Sequence, residues 1–290
     1  MDVRRELASF LRSRRDRLRP DDYGLPPGRR RSPGLRRTEV AQLAGISVDY
    51  YIRLEQGRSV RPSAPVLAGL ARALKLTPDE CDYLHRLAFS EAPAPAPTVS
   101  DRLRPGVYRL LEGLMPVPAY VISRNMDVLA WNEMGAALVA DFGALPRSQR
   151  NLLWLLCCDP AARSLYVHWE SAARQGVARL RLFAARYPDD QSVVSLVGEL
   201  SVRSPEFRQW WACYDVQDCG SGRKEFNHPV VGRMSLDWEA LLLPDGSDQY
   251  LVTYTAPAGS PSQGALDLLS VVGAETLQGS ADHLGGANRW

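Results

Sequence analysis

The stretch AQLAGISVDYYIRLEQG, residues 41–57, decides the fold of the first third of the chain. Two short runs of helix-forming residues flank Gly45, and glycine readily adopts the left-handed backbone of a tight turn. Ala41 is small enough for two helix backbones to approach closely at a corner. Ser47 is a suitable N-cap for the second helix. The stretch therefore predicts two short helices that cross at a turn centred on Gly45.

The apolar spacing predicts which side of the second helix faces outward. Side chains expected on the inner faces are apolar, namely Val40, Ala44, Tyr51 and Leu54. The side chains left exposed are Val48, Asp49, Tyr50 and Arg53. A helix held in this way has the geometry of one that reads the major groove of DNA. An ordinary corner in an all-α domain is the alternative, and the arginine-rich flanks favour DNA.

The distribution of charge divides the chain into two parts. The whole chain carries a net charge of +2, but residues 1–90 hold 18 Lys and Arg against 11 Asp and Glu. Residues 91–290 hold 17 basic against 22 acidic residues, and all seven tryptophans lie between Trp131 and Trp290. A basic front and a mildly acidic, tryptophan-rich rear indicate two parts with different partners.

The order of predicted elements supports two domains of different class. About five helices and no strand signal occupy residues 1–90, and the Ala-Pro tract EAPAPAPTVS (91–100) is a stiff linker. The rear domain is assigned to 101–273, with a variable tail at 274–290. It reads as an antiparallel α+β layout of about five strands around a helical block. Its strands are predicted at 119–123, 128–131, 223–227, 231–243 and 249–256, and its helices at 133–141, 151–158, 161–187, 191–201, 205–214 and 261–272.

Composition argues against several other classes of protein. No run of 18 apolar residues and no secretion signal is found, so we expect no membrane span. The five scattered cysteines form no CxxC pair and no metal-ligand spacing, which is typical of reduced thiols in the cytoplasm. No phosphate loop, nucleophile elbow or HExxH motif occurs. We therefore expect no enzyme activity, no metal and no resident cofactor.

Longer motifs carry a family resemblance. Residues 35–76 resemble the phage-repressor (Xre-type) helix-turn-helix domain, and the string GLPPGRRRSPGLRRTEVAQLAGISVDYYIRLEQGR (24–58) is similar to its MmyB-like subfamily. The resemblance continues in PAYVISRNMDVLAWN (118–132), NLLWLLCCDPAARSLYVHWE (151–170) and LVGELSVRSPEFRQWWACYDV (196–216). It resumes in HPVVGRMSLDWEALLLPD (228–245) and YTAPAGSPSQGALDLL (254–269), so it covers roughly residues 3–269.

The resemblance implies a role in DNA binding for specific residues. Base contacts correspond to Val48, Asp49 and Arg53, although Asp49 also suits the positive end of its helix. Phosphate contacts correspond to Arg36, Arg37, Arg58 and Arg61. Arg29, Arg30 and Arg31 form either a solvated charge run or an arm on the DNA, and their position beside the reading helix favours the arm. Such domains bind palindromic double-stranded DNA as homodimers.

One position departs from the pattern of the Xre-type domains. Many of them begin the helix before the turn with Ser or Thr, where this chain has Arg36. We therefore expect the first turn of that helix to rely on Gly34 or Ser32.

The resemblance also implies that the rear domain is a PAS-like fold that binds a fatty acid or a similar apolar molecule. Pocket candidates are the aromatic side chains of the block and three polar ones: Tyr120, Trp131, Asn132, Trp154, Trp169, Arg203, Phe207, Trp210, Trp211, Tyr214 and His228. Arg203, His228 and Asn132 are the candidates for a carboxylate head group. Ordinary core packing is the alternative for most of the aromatic residues. A protein-interaction module without a cavity is the alternative for the domain.

Overall fold

The computed structural model describes residues 2–25, 34–58, 61–89, 103–217, 220–244 and 248–281. Two compact units divide the chain: unit 1 comprises Met1–Ala96 and Val177–Asp218, and unit 2 comprises Pro97–Gly176 and Cys219–Trp290. The predicted linker at 91–100 and the predicted DNA arm, Arg29, Arg30 and Arg31, lie outside the described residues. Within those described, no helix combines the length and the apolar composition that a membrane crossing requires.

The N-terminal helices of unit 1 confirm the predicted all-α front domain. Residues 2–89, as far as they are described, form five α-helices: α1 (Val3–Arg17), α2 (Arg37–Ala44), α3 (Val48–Glu55), α4 (Ala64–Ala73) and α5 (Pro78–Phe89). Gly45 ends α2 with φ of 70°, in the left-handed region, and thereby makes the predicted turn. Ser47 accepts the amide of Tyr50 at 3.2 Å and caps α3.

The start of α2 differs from the sequence-based expectation. Arg36 is its N-cap residue, and the Arg36 amide donates to Glu39 Oε2 at 2.7 Å, so the carboxylate completes the first turn. Gly34 has another function. A Cβ at Gly34 would lie 2.6 Å from the carbonyl oxygen of Arg15, so only glycine lets this segment pass the backbone of α1.

Residues from later in the chain complete the core of unit 1. Phe10, Leu11 and Tyr51 are fully buried in this core. Three further apolar residues pack into it from the second segment of the unit, namely Leu182, Ala185 and Val216. The helices that carry this segment are α10 (Trp169–Arg186), α11 (Gln191–Arg203) and α12 (Pro205–Ala212). The sequence pattern placed residues 177–217 in the rear domain, and it did not predict their burial against the front helices because long-range burial leaves no local signal.

Unit 2 contains the antiparallel sheet that the sequence predicts. In the described part of the chain the sheet has five strands in the order β2-β1-β5-β4-β3. These are β1 (Ala119–Ile122), β2 (Val128–Trp131), β3 (Ser221–His228), β4 (Gly232–Leu242) and β5 (Tyr250–Thr255). The described helices with residues in this unit, besides the first part of α10, are α6 (Pro105–Gly113), α7 (Glu133–Val139), α8 (Leu152–Cys158), α9 (Pro160–Leu165) and α13 (Pro261–Ala281).

Two helices differ from their predicted extent. The single helix predicted at 161–187 is broken between α9 and α10, because Tyr166 forms a bridge to Phe226 of β3 and the Val167 amide donates to the Glu225 carbonyl at 3.0 Å. Pairing with the edge strand thus replaces helical hydrogen bonds at this point. Helix α13 continues to Ala281, beyond the predicted end at 272, since no proline interrupts the run that follows.

The strand register assigns side chains to two faces of the sheet. Tyr120 pairs with Trp131 and with Val252, and Trp238 pairs with Tyr254, so these side chains share one face. The opposite face carries Ala119, Val121, Ala130 and Leu251, which pack with Leu103, Val107 and Leu111 from α6 and the residues before it. The first face is therefore rich in aromatic rings, and we call it the aromatic face.

Candidate DNA-reading helix and ligand-binding face

Helix α3 presents its first turns outward, as the sequence predicts. Asp49 and Arg53 are exposed, whereas Val48 and Tyr50 are half-buried against the core of unit 1. The Arg53 guanidinium lies 5.8 Å from the ring centroid of Tyr50, which supports its outward direction. Arginine and aspartate are side chains that read base edges. The structure therefore leaves α3 with two accessible polar side chains, Asp49 and Arg53.

A buried carboxylate anchors the other end of α3. Glu55 is fully buried, and it accepts from Arg15 Nε of α1 at 2.6 Å and from Arg37 Nε of α2 at 2.7 Å. Burial alone would raise the pKa of Glu55, but the hydrogen bonds from Arg15 and Arg37 hold it below its usual value. The carboxylate is thus charged at neutral pH and fixes α3 against two helices.

The predicted phosphate contacts occupy different environments. Arg36, Arg58 and Arg61 are exposed, and so is about half of Arg37, whose Nε is held by Glu55. Sequence reasoning missed Glu55 and Arg15. Glu55 follows Tyr51 by four residues, which places it on the inner side of the helix, and a charged residue there is normally paired. That position was the available signal.

The predicted pocket residues do not fall in one compact unit. Tyr120, Trp131, Asn132, Trp154, Trp169 and His228 belong to unit 2, whereas Arg203, Phe207, Trp210, Trp211 and Tyr214 belong to unit 1. Arg203 is exposed and pairs with Glu199 one turn earlier on α11, at 2.9 Å. Phe207 is fully buried and its ring stacks on Trp211 at a centroid distance of 5.6 Å. These unit 1 residues are packing partners in their own unit.

Two of the side chains predicted to contact a carboxylate head group make hydrogen bonds to the protein backbone. Asn132 Oδ1 accepts from the amides of Ala119 at 3.0 Å and Gly135 at 2.8 Å, and its Nδ2 donates to two carbonyls. His228 Nε2 lies 2.9 Å from the carbonyl oxygen of Ala137, and its Nδ1 lies 3.3 Å from the Val230 amide. Asn132 thereby caps α7, and His228 fixes the turn that follows β3.

Trp154 and Trp169 flank the segment that joins α8 to α10. Trp154 is 9% exposed. Trp169 Nε1 donates to the carbonyl of Leu156 at 2.5 Å, and the Arg163 guanidinium lies 4.2 Å from its ring centroid. These contacts account for Trp169 as a structural residue that ties α10 to α8.

The aromatic face contains a chain of buried hydroxyl groups. Tyr120 and Tyr254 lie with their hydroxyl oxygens 2.7 Å apart, and Tyr166 hydrogen-bonds to Tyr254. Burial raises the pKa of all three tyrosines, so they remain protonated donors. Trp131 lies beside them, half-buried, with its ring centroid 5.4 Å from that of Phe142.

A cavity of about 280 Å³ opens beside this face, between the start of α10 and the edge strand β3. Tyr166, His168, Gln175 and Lys224 contribute to its walls. Lys224 Nζ lies 4.5 Å from the ring centroid of Trp238 and 5.9 Å from that of Tyr254. Ser171, Ala172, Arg223 and Glu225 complete the walls, so the cavity joins one aromatic ring, that of Tyr166, to a mainly polar and charged lining. The sequence pattern missed Tyr166 and Lys224 because only the tertiary fold brings them together.

Comparison with known families assigns both regions of the chain. A model of a helix-turn-helix domain matches residues 6–84. A model of the MmyB-like transcription regulator ligand binding domain matches residues 103–269, which is more than half of the chain. Comparison with curated proteins found no match. Together the two matches show that the chain belongs to the family of MmyB-like transcription regulators.

Proposed function

We propose that this transcription regulator reads a palindromic DNA site as a cytoplasmic homodimer and responds to a fatty acid or a similar lipid-like metabolite. One observation carries the ligand part. Tyr166 of the aromatic face lines the cavity together with the cations Lys224 and Arg223 and the Glu225 carboxylate, and a carboxylate with an alkyl tail would pair with a cation there and lay its tail along the neighbouring aromatic rings. Asp49 and Arg53, exposed on α3, support the DNA part.

The proposed DNA contacts divide by function. Val48, Asp49 and Arg53 contact base edges, and Arg36, Arg58 and Arg61 contact phosphates. Arg37 contributes to phosphate binding through the part of its guanidinium that Glu55 leaves exposed. The arm of Arg29, Arg30 and Arg31 would add further phosphate contacts. Ligand contacts come from Tyr120, Trp131, Tyr166, Lys224 and Tyr254.

A pair of variants tests the division of the DNA contacts. Arg53→Ala is expected to lose discrimination at one base pair by roughly 1–3 kcal/mol. Arg58→Ala is expected to weaken all DNA sequences alike and to reduce the slope of log affinity against log salt by about one. Fluorescence anisotropy on a selected operator and on its point variants, at several salt concentrations, measures both effects. Identical behaviour of the two variants would contradict the assignment.

Native mass spectrometry of the purified full chain tests the ligand. Retention of a fatty acid supports the proposal. Lys224→Met is expected to weaken the binding of palmitic acid roughly tenfold, because one charge-assisted contact is lost. The methyl ester of the same acid should bind the wild type and the variant alike. Repeated absence of any bound lipid, with no binding of palmitic acid on titration, would favour a domain that docks a protein partner.

A further inference from the structure

Helix α1 of the DNA-binding region is held by a segment that belongs to the matched ligand-binding region. Ser13 Oγ donates to the carbonyl of Cys213 at 3.2 Å, and Arg14 Nη2 donates to the carbonyl of Tyr214. Arg17 Nη2 lies 2.6 Å from Asp215 Oδ1. These contacts, all inside unit 1, place the residues that follow α12 along one side of α1.

A single buried guanidinium is the centre of this contact. Arg181 of α10 is 1% exposed, pairs with Glu6 Oε1 of α1, and donates from Nη2 to the carbonyl of Trp211. Its guanidinium lies 4.0 Å from the ring centroid of Trp211. Glu6 also accepts from the Tyr83 hydroxyl of α5 at 2.6 Å. Arg181 therefore joins α10 and the end of α12 to α1, and through Glu6 to α5.

Because it is buried, the ion pair between Arg181 and Glu6 either stays intact or separates completely. A charge without its partner is strongly disfavoured away from water, so Arg181 and Glu6 keep together or separate as a unit. Burial also raises the pKa of Tyr83 well above its usual value, with the charge of Glu6 as the next cause, so the tyrosine remains a donor to Glu6. The backbone and the ring of Trp211 both contact Arg181. A displacement of Trp211 would therefore carry α1 with it, and Trp211 would not slide along α1.

The opposite side of α1 is fixed to the reading helix. Arg15 pairs with the buried Glu55 at the end of α3, and Arg12 Nη2 donates to the Glu55 carbonyl at 3.3 Å. Helix α1 thus lies between two ionic contacts, Arg181 with Glu6 on one side and Arg15 with Glu55 on the other. A rigid helix with two such contacts transmits displacement from one to the other.

We propose that Arg181 is a positioning residue through which α10 and α12, helices of the ligand-binding region, set the position of α1 and hence of the DNA-reading helix α3. The inference rests on the proposed function, since it concerns how the ligand-binding region and the DNA site affect each other. Linkage is reciprocal, so DNA bound at α3 must in turn change the stability of the residues around Trp211.

Hydrogen exchange on the full chain, with and without saturating selected operator DNA, measures this remote effect without requiring a known ligand. In the wild type we expect DNA to slow exchange of the amides at 207–215 by roughly fivefold or more, the lower end of usual coupling between sites. In Arg181→Gln we expect that remote change to fall below about twofold, while direct protection of α3 by DNA persists. Arg174→Gln, an exposed arginine of the same helix, is the matched control and should behave as the wild type.

Each outcome decides the matter. If Arg181→Gln does not fold, Glu6→Gln provides the same test, because it removes the opposite charge of the contact while its amide oxygen still accepts from Tyr83. DNA binding without any change at 207–215 in the wild type would overturn the inference alone. A remote change that persists in both variants would also overturn it. A wild type that binds no DNA would overturn the proposed function and this inference with it.

Discussion

Replacement of Glu55 by glutamine is the sharpest test of how α3 is held. Glu55 is fully buried, and Arg15, its partner at 2.6 Å, has a side chain only 9% exposed. Glutamine keeps the shape but removes the buried counter-charge of Arg15, which is left with only the half-exposed Asp16 carboxylate, 2.8 Å from its Nη1. Breaking a buried pair in this way costs roughly 3–5 kcal/mol. Arg37→Ala is the matched control, because the Arg37 side chain is 43% exposed and Arg15 still neutralises Glu55 after its loss.

The pH dependence of the same variant gives an independent check. Burial alone would raise the pKa of Glu55, but Arg15 and Arg37 hold it below its usual value in the folded protein. Its stabilising contribution is therefore present above the unfolded pKa of about 4.3 and is lost as pH falls through the lower folded pKa. The difference between wild type and Glu55→Gln should be constant near neutral pH and shrink below about pH 4.

Local hydrogen exchange of the α3 amides is the appropriate assay, because we expect a chain with two compact units to unfold in more than one step. Urea unfolding followed by circular dichroism supplies the global value. A loss below about 1 kcal/mol for Glu55→Gln, the range of exposed pairs, would refute the argument. A difference from wild type that stays constant down to pH 3 would refute the assignment of the pKa.

Three further predictions concern packing in the two units. Gly69→Ala should destabilise the protein by roughly 1–3 kcal/mol, because an added Cβ would collide with the Ala44 carbonyl. Gly198→Ala, on the open side of α11, should stabilise the protein by up to about 1 kcal/mol. Thermal unfolding of the two variants measures both effects. Tyr254→Phe should lower the free energy of unfolding by roughly 1–3 kcal/mol, because the hydroxyls of Tyr120 and Tyr166 lose the partner between them. In urea unfolding, the double variant with Tyr120→Phe should lose less stability than the sum of the two single variants. Trp131→Ala should cost less than the roughly 3–5 kcal/mol of a fully buried tryptophan yet sharply weaken palmitic acid binding; the reverse result would show that Trp131 is plain core.

The front domain was predictable because its signals are local. Gly45 and Ser47 each act within four residues, and the structure has the turn at Gly45 and the cap hydrogen bond at Ser47 that the sequence predicts. Turn and cap chemistry depends on neighbours in sequence, so periodicity and residue type suffice. The sheet was predictable for the related reason that alternation along a strand is a short-range pattern.

The ligand region was harder because its contacts connect distant residues. Tyr120 meets Tyr254 only through the β1–β5 register, and Arg181 meets Glu6 across 175 positions. A tryptophan on a helix looks the same in sequence whether it lines a cavity or supports an arginine. Trp211 was predicted to face a ligand, and the structure places it beneath the Arg181 guanidinium. Asn132 and His228 make hydrogen bonds to the backbone, and nothing local in the sequence distinguishes such a bond from a polar ligand contact.

The arginines of α1 change how the basic character of the front domain should be understood. Its excess of positive charge suggests a surface built to attract DNA, yet Arg14 and Arg15 are buried and paired with Glu80 and Glu55. Burial even lowers the pKa of Arg14 to about 10, which leaves it charged at neutral pH but not available to phosphate. Among the proposed DNA contacts, Arg36, Arg53, Arg58 and Arg61 are exposed, and Arg37 is partly so. Much of the arginine in α1 serves instead to hold one helix between the reading head and the ligand-binding region.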